Sequence, residues 1–128
     1  VLAGVNMYAI MMNNAANHIR INTGTGAGSY DEEWTTPPTG YVVTSAVENN
    51  TGAVSKVYGN GTLVDSGSGT PVISTATSAA IGSRDTSTLL SGLVGDIAEV
   101  LFFNVELADV DRLKVDRYLG IKWGVSVA

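Results

Sequence analysis

The chain has 128 residues, 45% of them hydrophobic and only 15% charged, which is enough apolar material for the core of one domain. Its formal net charge of -5, with seven basic residues, argues against nucleic acid as a partner, because phosphate binding needs clustered Lys and Arg. With no Cys there is no disulfide framework or thiolate metal site, and no apolar run approaches the ~18 residues of a membrane-spanning helix.

Thirteen Thr, eleven Ser and fifteen Gly, beside few helix formers, are the composition of a strand-and-turn protein with a hydroxyl-rich surface. Such surfaces are common on exported proteins and virion parts, and cytosolic β-proteins share them. The opening VLAGVNMYAIMMNN has no basic leader region or clear cleavage site and enters a strand-like pattern at once, so an upstream part of a longer protein is expected.

The first predicted strand is Asn6 to Met12 (NMYAIMM), mostly apolar and closed by the turn signal Asn13-Asn14. A short alternating strand, HIRIN, follows from His18 to Asn22. From Thr23 to Gly40 the density of Gly and Pro predicts one long irregular segment, of a length compact domains keep when it binds something or covers a face. Tyr41 to Glu48 (YVVTSAVE) reads as a strand. Lys56 to Asp65 reads as a hairpin turning at Gly59-Asn60-Gly61, because Asn-Gly supplies the positive φ angles of a primed turn.

Pro71 to Thr77 is an expected edge strand, and Ser78 to Arg84 another strand in which Gly82 allows a close approach or bulge. Leu93 to Asn104 (LVGDIAEVLFFN) is the longest predicted strand. Ile97, Glu99, Leu101 and Phe103 fall on one face and Asp96, Ala98, Val100 and Phe102 on the other, a pattern that implies burial between two layers. Ala108 to Trp123 is the one expected helix, with Leu107, Val110, Leu113, Tyr118 and Ile121 as a broad apolar stripe and Gly124 as its stop. Arg112, Lys114 and Arg117 alternate there with Asp109, Asp111 and Asp116, the pattern of a solvated surface.

Two segments carry a resemblance to a known family. VSKVYGNGTLVDSGSG, from Val54 to Gly69, is similar to a hairpin in which a Tyr-containing strand turns through Asn-Gly and returns with Leu-Val. GLVGDIAEVLFFNVELADVDRLKVDRYLGIKWG resembles a Gly-Asp-Ile-Ala-Glu-Val strand followed by a helix running to Tyr-Leu and Lys-Trp-Gly. Together they resemble the closing half of laminin-G-like domains of the concanavalin A-like lectin/glucanase superfamily. The likeness implies an all-β fold, an antiparallel β-sandwich of jelly-roll type with one short C-terminal helix, in a single domain over residues 1–128 whose opening strands are expected to lie upstream, to be disordered, or to be supplied by a neighbouring chain. One departure is at the helix start, where the family places Ser or Thr and this chain has Ala108; Asp109 is the expected cap one residue later.

Glucanases on this fold use a Glu-x-Asp-x-x-Glu strand motif, which the chain lacks. Asp96 and Glu99, three apart, would point to opposite faces of a strand, with Glu99 bonding to a loop or helix, so no enzyme activity is expected. His18 has no partner pattern for a triad or a zinc site and reads as a surface or hydrogen-bonded residue. The candidate binding residues are Tyr30, Asp31, Glu32, Glu33 and Trp34 in the Gly-rich segment. Oxygen ligands there could hold Ca²⁺, with Asp31, Glu33 and, from a distant loop, Asp85 as the set. Lectin-type members of the superfamily use loop carboxylates and aromatics in this way. Two readings stay open for Trp34: it stacks on a sugar, or it plugs the core beneath the loop while the acids are solvated.

Asp85 also reads as a turn cap, and Tyr118 and Trp123 as core contacts. Asn49-Asn50-Thr51 and Asn60-Gly61-Thr62 match the glycosylation acceptor pattern. The resemblance thus implies a non-catalytic recognition module that binds carbohydrate or a protein partner, within a larger extracellular or virion-surface protein. The alternative is a structural or decoration domain of a phage particle, tail fibre or surface filament, as a homo-oligomer or with a neighbouring chain completing its sheet.

Overall fold

The computed structural model describes residues 8–13, 18–23, 30–49, 54–68, 95–103 and 105–128. Six strands and one helix lie among them: β1 (Tyr8–Asn13), β2 (His18–Thr23), β3 (Tyr30–Trp34), β4 (Thr44–Asn49), β5 (Val54–Gly59), β6 (Thr62–Ser68) and α1 (Asp109–Trp123). They form two three-stranded antiparallel sheets in simple sequence order, β1-β2-β3 and β4-β5-β6.

The hairpin between β5 and β6 follows directly from its sequence. Asn60 and Gly61 form a two-residue turn with φ of 48° and 85°, the positive values that a type I′ turn demands at both positions. Gly59 pairs with Thr62 and Tyr58 with Leu63; Val57 then pairs with Asp65, so Val64 is an extra residue and β6 bulges. The turn is also tied sideways. Asn60 N donates to Val43 O (2.8 Å), and Val43 N donates back to Asn60 Oδ1 (2.9 Å), which closes the chain entering β4 onto the hairpin.

The first sheet meets the second through β3. Trp34, paired with Ile19 across the ladder, is buried, and its ring lies against Gly59, where a Cβ would sit 2.6 Å from it. Glu32, on the same face of β3, is buried over Gly67 and accepts a hydrogen bond from Ser55 Oγ (2.6 Å). Glu33 N donates to Asp65 Oδ2 (2.9 Å). Ile19, Trp34, Val43, Val57 and Tyr58 are the buried hydrophobic residues among those described.

Two of the strand expectations need correction. The segment from Thr23 to Gly40 is not irregular throughout: Tyr30–Trp34 is a strand, drawn into the ladder by β2 and into the interior by Trp34. Residues 95–103, predicted as most of the longest strand, belong to no strand, and Val100, Phe102 and Phe103 are exposed, the two Phe by 70% and 51%. Apolar character on both faces suits burial between layers, but among the described residues the ladders are made by the six strands above. The strands expected at Pro71 to Thr77 and Ser78 to Arg84 lie outside the described residues, while β1, β2 and β4 fall within two or three residues of their predicted bounds at both ends.

The helix is where expected, but it is turned over. Its inward positions are Arg112, Asp116 and Gly120, spaced four apart, whereas Val110, Tyr118 and Ile121 of the predicted apolar stripe are exposed, Ile121 by 87%. Trp123 is exposed as well, so neither it nor Tyr118 is a core contact. Ala108 is the N-cap and makes no side-chain cap bond; Asp109 is engaged elsewhere, and with Asp111 it puts negative charge at the positive end of the helix dipole. Gly124 ends the helix with φ of 71°, its N–H bonded to Gly120 O. No helix of the described residues is long and apolar enough to cross a membrane.

Candidate functional site

Of the five adjacent residues expected to form a binding loop, β3 separates the members. Strand alternation puts Glu32 and Trp34 on the face that packs on β5 and β6, and Glu33 on the other. Trp34 is therefore a core residue and not an exposed stacking platform. Glu32 is likewise withdrawn, its carboxylate held by Ser55. Tyr30 and Asp31 are placed as strand residues opposite Thr23 and Asn22. Asp85, the third residue of the expected calcium set, lies outside the described residues, among which no group of three or more His, Asp or Glu side chains is arranged to hold a metal ion.

Two arrangements emerge instead. The first docks α1. Arg112 stacks on the Tyr58 ring at 3.5 Å from its centroid, and its Nη1 donates to Asp116 Oδ2, while Ser45 Oγ donates to Asp116 Oδ1. Asp116 is 1% exposed, so this carboxylate has left water altogether and depends on both partners. Tyr58 Oη donates to Asp109 Oδ1 at 2.7 Å. Burial, reinforced by that carboxylate, pushes the Tyr58 phenol up to about 12. In return the hydrogen bond from Tyr58, aided by Lys56 and Arg112, holds Asp109 below the ordinary carboxylate value. Arg112 Nε is buried without a hydrogen-bond partner, 3.8 Å from Asp109 Oδ1. Sequence reasoning placed Arg112 and Asp116 on a solvated face; the four-residue spacing of Arg112, Asp116 and Gly120 was the available signal.

Beside this cluster a shallow, open depression is lined by Val47, Lys56, Glu106, Leu107, Ala108 and Asp109. Its charged groups are one cation and two acids, and they make no nucleophile–base pair. Of the hydroxyls in the neighbouring cluster, Tyr58 donates to Asp109 and Ser45 to a carboxylate already held by Arg112, which makes both of them docking groups.

The second arrangement is an exposed apolar run. Ile97, Val100, Leu101, Phe102, Phe103 and Val105 all stand in solvent. Within it Glu99 is partly covered, and its Oε2 accepts from Trp123 Nε1 (2.9 Å) and pairs with Lys122 Nζ (3.0 Å) at the end of α1. The Trp123 bond, then Lys122, lowers the Glu99 carboxyl from its ordinary value; Glu99, then Tyr118, raises the Lys122 ammonium. The expectation that Glu99 bonds to a loop or helix agrees with this contact, although no strand carries it.

Set against family models, curated proteins and solved structures, the chain matches none of them.

Proposed function

We propose that this chain is a non-catalytic β-sandwich module of laminin-G-like type that binds a protein partner, within a larger extracellular or virion-surface assembly. What supports the sandwich is the packing of β3 on β5 and β6 across two sheets, with the sequence likeness of the hairpin and the C-terminal segment. The observation that carries the function is the group of exposed apolar side chains at Ile97, Val100, Leu101, Phe102, Phe103 and Val105, close together in the chain, since exposed apolar surface of this kind marks protein-binding sites. Asp96, Glu106, Asp109 and Asp111 flank it and the chain is acidic overall, so the partner that fits presents an apolar ridge bordered by Lys or Arg. Carbohydrate recognition loses its main support with Trp34 buried.

A synthetic amphipathic Leu/Lys peptide is the test probe, with a Leu/Glu peptide of the same pattern as control, read by fluorescence anisotropy. The Leu/Lys peptide binds, the Leu/Glu peptide does not, and Phe102→Asp with Phe103→Asp abolishes binding while circular dichroism is unchanged. The added negative charges would strengthen a purely electrostatic contact, so loss of binding isolates the apolar part. Binding indifferent to the substitutions, or unfolding of the variant, overturns the proposal, the latter because it would make the two Phe core residues. Concentration-dependent dimers in light scattering that the two substitutions dissolve would replace the partner with a second copy of the chain, and a glycan-array signal would replace it with sugar.

A further inference from the structure

We infer that Glu99 is a positioning residue, a latch that pins the apolar segment 95–103 to the C-terminal end of α1 and so presents its side chains in one orientation. The geometry is asymmetric along the segment. Asp96, Ile97, Val100, Leu101, Phe102 and Phe103 are exposed and belong to no strand, while Glu99 puts a single carboxylate oxygen on two donors. Both donors sit on a firm base. Trp123 is the last residue of the helix, followed at once by Gly124 in the left-handed conformation, and Gly120 O accepts from both Gly124 N and Val125 N. Lys122 is steadied in turn by Tyr118, whose hydroxyl it meets at 3.3 Å, and its ammonium lies 5.4 Å from the centre of the Trp123 ring.

The latch matters because binding charges the ordering of a loop against affinity, and a segment already fixed at its midpoint has less freedom to lose. It rests on the proposed function only for this consequence, since pinning is a property of the free chain. Chymotrypsin cleavage after Phe102 and Phe103 reports it, with cleavage after Tyr41, an exposed residue outside the strands, as internal control. Glu99→Ala loses both bonds and raises the rate at the two Phe roughly tenfold, as expected for an exposed ion pair plus one hydrogen bond. Glu99→Gln keeps an acceptor for Trp123 and falls between Ala and the parent.

Unchanged cleavage in Glu99→Ala overturns the inference, and so does an equal rise at Tyr41, which would mean that Glu99 stabilises the whole fold. Peptide binding separates this result from the proposed function. If cleavage accelerates as expected and the Leu/Lys peptide never binds, the latch stands and the partner proposal falls; if Glu99→Ala weakens peptide binding several-fold, both stand.

Discussion

The β5–β6 hairpin and α1 bury opposite kinds of side chain. The hairpin buries Val57 on the face toward β3 and Tyr58 on the opposite face under Arg112 of α1, and leaves Leu63 exposed. The helix buries Arg112, Asp116 and Gly120 and holds Val110, Tyr118 and Ile121 out to solvent. An apolar contact is nondirectional and tolerates small slips, whereas the Ser45–Asp116–Arg112–Tyr58 chain fixes the helix in rotation and along its axis. Gly120 completes the fit, since a Cβ there would run 2.6 Å from Val125 O and Val127. The helix gives up hydrophobic stabilisation on this face, and its outward apolar residues stay available for a partner.

The sharpest way to break the contrast is Asp116→Ala. It strands the buried Arg112 and should remove about 3–5 kcal/mol, read as a lower urea midpoint; a loss under about 1 kcal/mol would mean the cluster is not what docks the helix. Replacing the pair together, Arg112→Met with Asp116→Leu, should recover most of that loss, because no uncompensated charge remains. On the hairpin side, Gly59→Ala drives a methyl into the Trp34 ring and should cost about 1–3 kcal/mol through repacking of an aromatic core contact. A neutral result would mean that β3 does not pack on β5 as described.

The same contrast explains what the amino-acid sequence disclosed. The hairpin turn was legible because Asn60-Gly61 satisfies a local backbone demand that no distant contact overrides, although the arms extend past the expected Lys56 and Asp65 to Val54 and Ser68. The end of α1 at Gly124 was legible for the same reason. β3 was hidden: Asp31-Glu32-Glu33 between Gly-rich and Pro-rich flanks has the composition of a loop, and the buried Glu32 is made tolerable by Ser55, more than twenty residues away. The helix face was misassigned because Arg112 and Asp116 are each surface residues by type and become interior ones only as a pair, with Ser45 and Tyr58 supplied from another part of the chain. Residues 95–103 were misread because an apolar run on both faces signals burial without saying against what, and an exposed apolar surface has the same signature.

Tyr58 links the two regions and gives a pH-dependent test. The folded protein binds the phenolic proton more tightly than the unfolded chain, since burial and then the Asp109 carboxylate move its pKa from 10.0 to about 12. This stabilisation is therefore complete below pH 10 and is lost as pH climbs from 10 through about 12. Tyr58→Phe should lose about 0.5–1.5 kcal/mol at neutral pH, the range for one hydrogen bond, and should lack this alkaline decline in melting temperature. An unchanged alkaline limb in the variant would assign the decline to other groups and uncouple Tyr58 from the docking of α1.

The smallest effect is the most discriminating for function. Ile121 sits in the predicted apolar stripe yet is almost fully exposed, so Ile121→Ser should change stability by no more than about 0.5 kcal/mol in either direction. A helix docked by its apolar stripe would instead lose about 2 kcal/mol or more on that change, because a buried Ile contributes at least that much. The two outcomes differ enough for one pair of denaturant curves to decide between them. A silent substitution means the fold does not use the outward face of α1, which leaves Ile121, and by the same test Val110 and Tyr118, free to serve an interface that includes the segment Glu99 holds nearby.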